Sequence, residues 1–150
     1  MQLEKYHKLL NTRNSPFKML ITKNLLDELT SKAKLSPRLR AAYDLRTTPN
    51  DGSQRILNAV EPGTILPIHR HRTSTETIVV LRGTVRQSYY DDKGNVTDTF
   101  ELAPLSFIVG MSVPVGQWHA LESLESGSVI LETKDGAYAP LTDEDILKIN

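Results

Sequence analysis

The sequence predicts a mainly β domain, a sandwich or barrel of short strands with helices before it and a short helix after it. From Gln54 onward, short runs rich in β-branched and aromatic residues alternate with polar turn residues. A clear helical periodicity lies before them, in residues 23–34. The 150 residues carry zero formal net charge and contain no cysteine, and they suit one domain with a hydrophobic core.

The N-terminal third is predicted to be helical. Thr22 is a good N-cap for the helix over residues 23–34, and Ser36-Pro37 ends it, since the residue before proline avoids the helical region. Three small or apolar residues repeat every four positions as a buried stripe: Leu25, Leu29 and Ala33. Residues 1–18 are predicted to be an N-terminal extension that could pack on a partner subunit.

The rest of the chain is predicted to form the barrel. We place strands near residues 54–61, 64–71, 76–82, 84–90, 96–102, 106–109, 113–115, 118–123 and 128–133. Thr142, with Asp145 at the capping-box position, predicts a short C-terminal helix. The chain therefore divides into an extension (1–18), a helical segment packing on the barrel (19–50) and the barrel itself (51–150), within a single domain overall.

Three of the four histidines fall in two short motifs. His69 and His71 share one face of a predicted strand, and Glu76 opens the next apolar run. His119 closes the turn Pro114-Val115-Gly116-Gln117-Trp118-His119. Imidazole and carboxylate together bind Fe, Mn, Co, Ni, Cu or Zn, and four protein ligands leave one or two positions open on an octahedral ion. The alternative is that the histidines form an ordinary polar strand face.

These motifs resemble those of cupins. The stretch Gly63 to Gly83 has the pattern Gly-x5-His-x-His-x4-Glu-x6-Gly, which fits the first cupin motif at every fixed position. The second motif fits in part, because Ile108 and Ser123 stand where glycine and asparagine are usual. The resemblance implies a double-stranded β-helix, or jelly-roll barrel, with one divalent metal held by four residues: His69, His71, Glu76 and His119.

The chain also resembles the WbuC family of cupin-fold metalloproteins, over about residues 19 to 145. The matching segments are Ser36–Arg40, Gln54–Leu57, Asp91–Gly94 and Lys134–Tyr138. Members are associated with clusters that build surface polysaccharide, so the resemblance implies a pathway and leaves the reaction open. Cupins are frequently dimers, which implies a homodimer.

Other residues are candidates for ligand binding and catalysis. Arg38, Arg40 and Arg55 could bind a phosphate or carboxylate through their guanidinium forks, or they could be solvated or paired surface charges. Tyr89 and Glu122 are candidates for acid–base catalysis and are equally plausible as strand packing or surface residues.

Three functions are compatible with these features. The first is a metal-dependent isomerase, epimerase or lyase acting on a small, anionic, carbohydrate-derived ligand, which could be a nucleotide sugar, in surface polysaccharide biosynthesis. The second is an Fe(II)-dependent oxygenase, and the third is a non-catalytic sugar-binding or regulatory cupin. The balanced charge and the polar N-terminus predict a cytoplasmic protein that binds neither nucleic acid nor membranes.

Overall fold

A computed structural model of the chain describes residues 20–149. Within this range a single α-helix is followed by eight strands and a 3-10 turn at Asp143–Asp145. The elements are α1 (Lys23–Leu35), β1 (Arg40–Asp44), β2 (Ser53–Val60), β3 (Glu76–Arg82), β4 (Val85–Tyr90), β5 (Val96–Leu102), β6 (Gly110–Val113), β7 (Trp118–Ser123) and β8 (Ser128–Asp135). The predicted extension, residues 1–18, lies outside the described residues.

The strands form two antiparallel sheets. The larger has the order β1-β2-β8-β3-β6 and the smaller the order β5-β4-β7. Side chains from both sheets meet in one apolar cluster of Ile78, Val80, Val85, Leu102 and Ile130. This arrangement confirms the predicted mainly β, cupin-type double-stranded β-helix.

Helix α1 covers the outer face of the larger sheet. Thr22 caps it as predicted, its hydroxyl accepting a hydrogen bond from the backbone N–H of Leu25 at 3.2 Å. The buried face consists of Leu26, Leu29, Thr30 and Ala33, with Leu25 only partly buried at its edge. The apolar members of this face, Leu26, Leu29 and Ala33, pack on Leu57, Ala59 and Val129. The opposite face of β2 and β8 is therefore left to line the barrel interior.

Three predicted details of the strands differ from the structure. Residues 64–71 do not form a strand, and their pairing is confined to an isolated bridge at His69. Pro67 has no N–H to donate to a strand ladder. Residues 106–109 and 113–115 do not form separate strands; the chain turns around Ser106 and then pairs over Gly110–Val113. Strand β1 (Arg40–Asp44) is not predicted, and it joins the edge of the larger sheet by pairing with β2.

The predicted C-terminal helix is a single 3-10 turn with the expected capping box. Thr142 and Asp145 exchange hydrogen bonds, with the Thr142 hydroxyl 2.8 Å from the Asp145 carboxylate. Arg72 holds this turn against the barrel through Asp145 at 2.7 Å and Glu144 at 2.5 Å. Among residues 20–149, no helix has the length and apolar character needed to cross a membrane.

Candidate metal centre

The backbone brings the two histidine motifs side by side. The N–H of His69 donates to the carbonyl of His119 at 3.0 Å, and the N–H of His119 donates back to His69 at 2.8 Å. Gly116, whose φ of 78° favours glycine, donates its N–H to the carbonyl of His71 at 2.8 Å. The turn that carries His119 is thereby fixed against the segment that carries His69 and His71.

Four side chains converge at this point. His69, His71, Glu76 and His119 each offer one ligand atom, and all four atoms lie within 4.8 Å of one another. With metal–ligand bonds of about 2.0–2.2 Å, opposite ligands lie up to about 4.4 Å apart, so a contraction of a few tenths of an ångström would close the cluster on an ion. The cluster could therefore hold one divalent metal.

Backbone carbonyls orient two of the imidazoles. Nδ1 of His69 lies 3.1 Å from the carbonyl of Pro67, and Nδ1 of His119 lies 2.8 Å from that of Gln117. A carbonyl only accepts, so we assign the ring proton to Nδ1 in both residues. In this tautomer the Nε2 lone pair of each ring is free to bind a metal, and the Nδ1–H is held by a carbonyl, as is common for metal-binding histidines.

The carboxylate of Glu76 is buried among positive and neutral donors. Its Oε2 atom lies 2.7 Å from Nε2 of His71 and 3.0 Å from Nζ of Lys134. Burial alone would raise the pKa of Glu76, but its histidine neighbours His119 and His71 and the charge of Lys134 outweigh burial and hold that pKa well below its usual value. Glu76 is therefore ionised, as a ligand must be.

Lys134 connects Glu76 to a second, partly buried carboxylate, that of Glu132. Nζ of Lys134 lies 2.7 Å from Oε1 of Glu132, and the amide of Asn58 donates to Oε2 of Glu132 at 3.1 Å. Burial, followed by the charge of Glu76, raises the pKa of Glu132. Burial would lower the pKa of Lys134, but the two carboxylates raise it, so the lysine stays charged and links them.

The imidazole of His69 is neutral at physiological pH. Burial, reinforced by the nearby His119, lowers the pKa of His69 to about 4. A neutral imidazole keeps the lone pair that a metal requires. The site is therefore poised to bind a cation without first losing a proton from this residue.

One atom of the cluster lacks a hydrogen-bond partner among the described residues. Nε2 of His119 is buried without a hydrogen-bond partner among the described residues, and the nearest Glu76 oxygen is 3.7 Å away, too far for a hydrogen bond. Leaving a buried polar atom unpaired costs free energy of folding. A bound metal would use this lone pair, so the residues present fit the ion that the cupin motifs imply.

The cluster lies between two cavities. The inner cavity, of about 310 Å³, lies between the two sheets and reaches His69, Glu76 and His119. Its wall is largely apolar and includes Val60, Leu66, Pro67, Ile78, Leu121, Ile130 and Leu141. The outer pocket, of about 630 Å³, lies under the C-terminal segment and reaches His69, His71 and Lys134. A small molecule could therefore approach the cluster from the barrel interior.

The three candidate arginines lie in different environments. Arg40, at the start of β1, lines the inner cavity. The guanidinium of Arg55 pairs with Asp51 at 2.9 Å and does not line the inner cavity. Arg38 is exposed and is also absent from its wall. Of these three arginines, only Arg40 shares a cavity with the histidine cluster.

The two candidate catalytic residues lie outside the inner cavity wall. Tyr89 is paired with His119 across β4 and β7, but its ring packs edge-on against Phe100, with the ring centres 5.5 Å apart. Glu122 lies on the outer face of β7, where it forms an ion pair with Arg86 at 3.2 Å. Tyr89 therefore packs within the small sheet, and Glu122 belongs to a surface ion pair.

Sequence reasoning missed the polar residues that line the inner cavity or border the cluster. These are Asn58, Gln87, Glu132 and Lys134. Three of them follow an apolar residue on the same strand face: Asn58 follows Ile56 in β2, Gln87 follows Val85 in β4 and Glu132 follows Ile130 in β8. That pattern was a usable signal, since a buried polar group on such a face requires a partner.

Solved structures share this architecture. KdgF from Halomonas sp. aligns with a TM-score of 0.55 at 14% identity, covering 69% of this chain and 85% of KdgF. The capsular polysaccharide assembling protein CapF from Staphylococcus aureus aligns with a TM-score of 0.57 at 18% identity, covering 73% of this chain and 30% of CapF. Oxalate decarboxylase from Bacillus subtilis aligns with a TM-score of 0.51 at 20% identity, covering 71% of this chain and 26% of the decarboxylase.

These likenesses establish a cupin fold, and this chain spans only about a third of CapF and a quarter of the decarboxylase. No curated protein matches the sequence. One family model does match, over residues 21–102, which run from the cap of α1 through β5 and include three of the four clustered side chains. The chain is therefore a cupin-fold member of the family described as Domain of unknown function (DUF6016).

Proposed function

We propose that the protein is a metal-dependent enzyme acting on a small, anionic, carbohydrate-derived substrate. The observation that carries the proposal is the buried, unpartnered Nε2 of His119, which completes a ring of three imidazoles and a carboxylate at the inner cavity. His69, His71, Glu76 and His119 would hold the ion. When bound, the ion would act as a Lewis acid on a carbonyl or hydroxyl of the substrate.

The residues around the centre would bind and orient the substrate. The wall of the inner cavity is largely apolar, and a substrate that displaced water from it would strengthen every charged contact inside the cavity. Glu132 and Lys134 would keep Glu76 in place as a ligand, since Lys134 contacts both carboxylates. Isomerase, epimerase and lyase reactions all fit this arrangement.

Arg40 is the residue we propose for the anionic group of the substrate. It alone among the three candidate arginines lines the cavity that reaches the histidine cluster. Its planar fork can form two parallel hydrogen bonds to a carboxylate or phosphate.

Replacing Arg40 by lysine should weaken substrate binding by roughly tenfold or more and leave metal content unchanged, because lysine keeps the charge but loses the fork. Calorimetric titration and metal analysis of the same preparation measure the two effects. Arg55→Lys is the matched control, since Arg55 pairs with Asp51 outside the inner cavity and its replacement should leave binding unaltered. Unaltered binding in Arg40→Lys would reject the role of Arg40.

The pathway we propose is surface polysaccharide biosynthesis. The support is the sequence resemblance to the WbuC family and the structural likeness to CapF, which is described as a capsular polysaccharide assembling protein. Both point to sugar chemistry, and neither names the reaction.

The proposed activity can be tested by proton NMR in heavy water on a panel of sugar acids and sugar phosphates. Isomerase, epimerase or lyase chemistry should change a carbon-bound proton of one substrate. The change should stop on chelation and resume when one equivalent of a divalent metal is returned. Metal-dependent oxygen consumption would favour the oxygenase instead. Binding without any change, for all six candidate metals, would favour a non-catalytic sugar-binding protein.

We also propose a homodimer. Leu105 and Phe107, in the connection between β5 and β6, are fully exposed, and β6 is an edge strand of the larger sheet. An exposed apolar pair beside an open strand edge favours contact with another chain. Light scattering on the intact protein and on a chain lacking residues 1–18 tests both the dimer and the contribution of the extension, and a monomeric intact protein would reject the proposal.

A further inference from the structure

Gln87 is an unexplained feature of the inner cavity. It lies in β4, its side chain is fully buried, and it lines the cavity wall. Neither its Oε1 nor its Nε2 has a hydrogen-bond partner among residues 20–149. Asn58, on the same wall, is paired with Glu132 at 3.1 Å. A buried amide with both ends unpaired in the described part of the chain needs an explanation.

The strand places this amide among side chains that cannot satisfy it. Gln87 lies opposite Phe100 of β5 and Leu121 of β7, and Val85 precedes it on the same face. Leucine has nearly the same size and would bury here without an unpaired polar atom. Stability alone therefore gives no reason for glutamine at this position.

Gln87 lies close to the candidate metal centre. His119 is two residues from Leu121 along β7 and is thus the diagonal neighbour of Gln87 on the inner face. Diagonal neighbours across an antiparallel pair are roughly 7–8 Å apart. A molecule that touches the His119 side of the cluster would pass directly beside the Gln87 amide.

We propose that Gln87 recognises the ligand by hydrogen bonding to adjacent hydroxyls of a single sugar ring that carries a carboxylate. An amide offers one acceptor and two donor hydrogens, and neighbouring hydroxyls complement both ends at once. At about 310 Å³ the inner cavity is at the small end of the roughly 300–1,000 Å³ of ligand pockets, which suits one ring and not a nucleotide sugar. The inference rests on the proposed function for the anion site at Arg40 and narrows the substrate to a monosaccharide acid.

The test uses three probes of the same ring size: D-glucuronate, with hydroxyls and a carboxylate; D-glucose, with hydroxyls only; and cyclohexanecarboxylate, with a carboxylate only. Affinity for each is measured by calorimetry on the metal-loaded protein. The wild type should bind glucuronate most tightly. Gln87→Leu should weaken glucuronate binding by roughly tenfold and leave cyclohexanecarboxylate binding unchanged. Arg40→Ala should weaken the binding of both carboxylates and leave that of glucose unchanged.

Gln54→Leu is the matched control. Its amide lies at the rim of the outer pocket, 3.5 Å from the carbonyls of Gly136 and Ala137, outside the inner cavity. Glucuronate should bind this variant as it binds the wild type. No binding of glucuronate to the wild type, or equal binding to the wild type and Gln87→Leu, would overturn the proposal.

Melting temperature separates recognition from a structural role. Gln87→Leu and Gln87→Met should melt at or above the wild-type temperature, since each removes an amide that has no partner within residues 20–149. Loss of glucuronate binding together with a lower melting temperature in both variants would assign Gln87 to packing and overturn the inference.

Failure of the inference can also be told apart from failure of the proposed function. If glucuronate binds in a Gln87-dependent way but no substrate of the panel is turned over with any of the six candidate metals, the proposed function fails and recognition by Gln87 stands. If metal-dependent turnover of a substrate is found and Gln87→Leu leaves it unaffected, the proposed function stands and the inference fails.

Discussion

His119→Ala should lose its metal while keeping its fold. The loss of a residue that merely supports a metal ligand typically costs 10–100-fold in affinity, so loss of a ligand itself should cost more than ~100-fold. The fold should survive because the variant also removes a buried atom that has no partner among the described residues, and the main-chain hydrogen bonds between residues 69 and 119 do not need the imidazole. Metal analysis after dialysis, together with far-ultraviolet circular dichroism, measures both.

Glu122→Gln is the control for this experiment. Glu122 lies on the same strand, three residues away, but its carboxylate points outward to Arg86. Its metal content should match that of the wild type. Full metal occupancy in His119→Ala would remove this residue from the ligand set.

The second large effect is expected at Lys134. Lys134→Met should destabilise the metal-free protein by about 3 kcal/mol, because it leaves the carboxylates of Glu76 and Glu132 buried together without their shared cation. Urea unfolding at neutral pH measures the change. Lys148→Met is the matched control: Lys148 pairs with Asp143 on the surface, and its removal should cost at most about 0.5 kcal/mol.

The sign of the pH dependence follows from Glu132. Its pKa is raised in the folded protein, so protonation favours the folded state, and its charged form becomes unfavourable as pH rises through that pKa. The loss of unfolding free energy caused by Lys134→Met should therefore be largest at neutral pH and become smaller on acidification. Metal binding should also reduce this loss of stability, because the ion neutralises the charge of Glu76. An equal deficit at all pH values would show that the lysine acts through packing and not through its charge.

The four clustered side chains were predictable because their spacing is local. His69 and His71 are fixed by a two-residue interval, Glu76 opens the next strand, and His119 follows a short turn with a required glycine at Gly116. The pairing of the two motifs across some 50 residues was inferred from the cupin resemblance, and the structure shows the main-chain hydrogen bonds that produce it.

The remaining features depend on contacts that have no local signature. Strand β1 reads Arg-Ala-Ala-Tyr-Asp, with no β-branched residue, and it is a strand only because β2 offers it an edge. Lys134 joins Glu76 from 58 residues away, and Asn58 reaches Glu132 from 74 residues away. Arg40 lines the inner cavity and Arg38 and Arg55 do not, and this difference likewise depends on the folded structure.

We propose that His69, His71, Glu76 and His119 share one metal ion, and anomalous X-ray diffraction is the direct test of this site. Crystals of protein purified without a chelating tag would be measured on both sides of the absorption edge of the metal found by elemental analysis. We expect one anomalous peak per chain, at about 2.0–2.2 Å from a nitrogen of each imidazole and an oxygen of Glu76. A peak at another position, or the absence of a peak from crystals soaked with each of the six candidate metals, would contradict it.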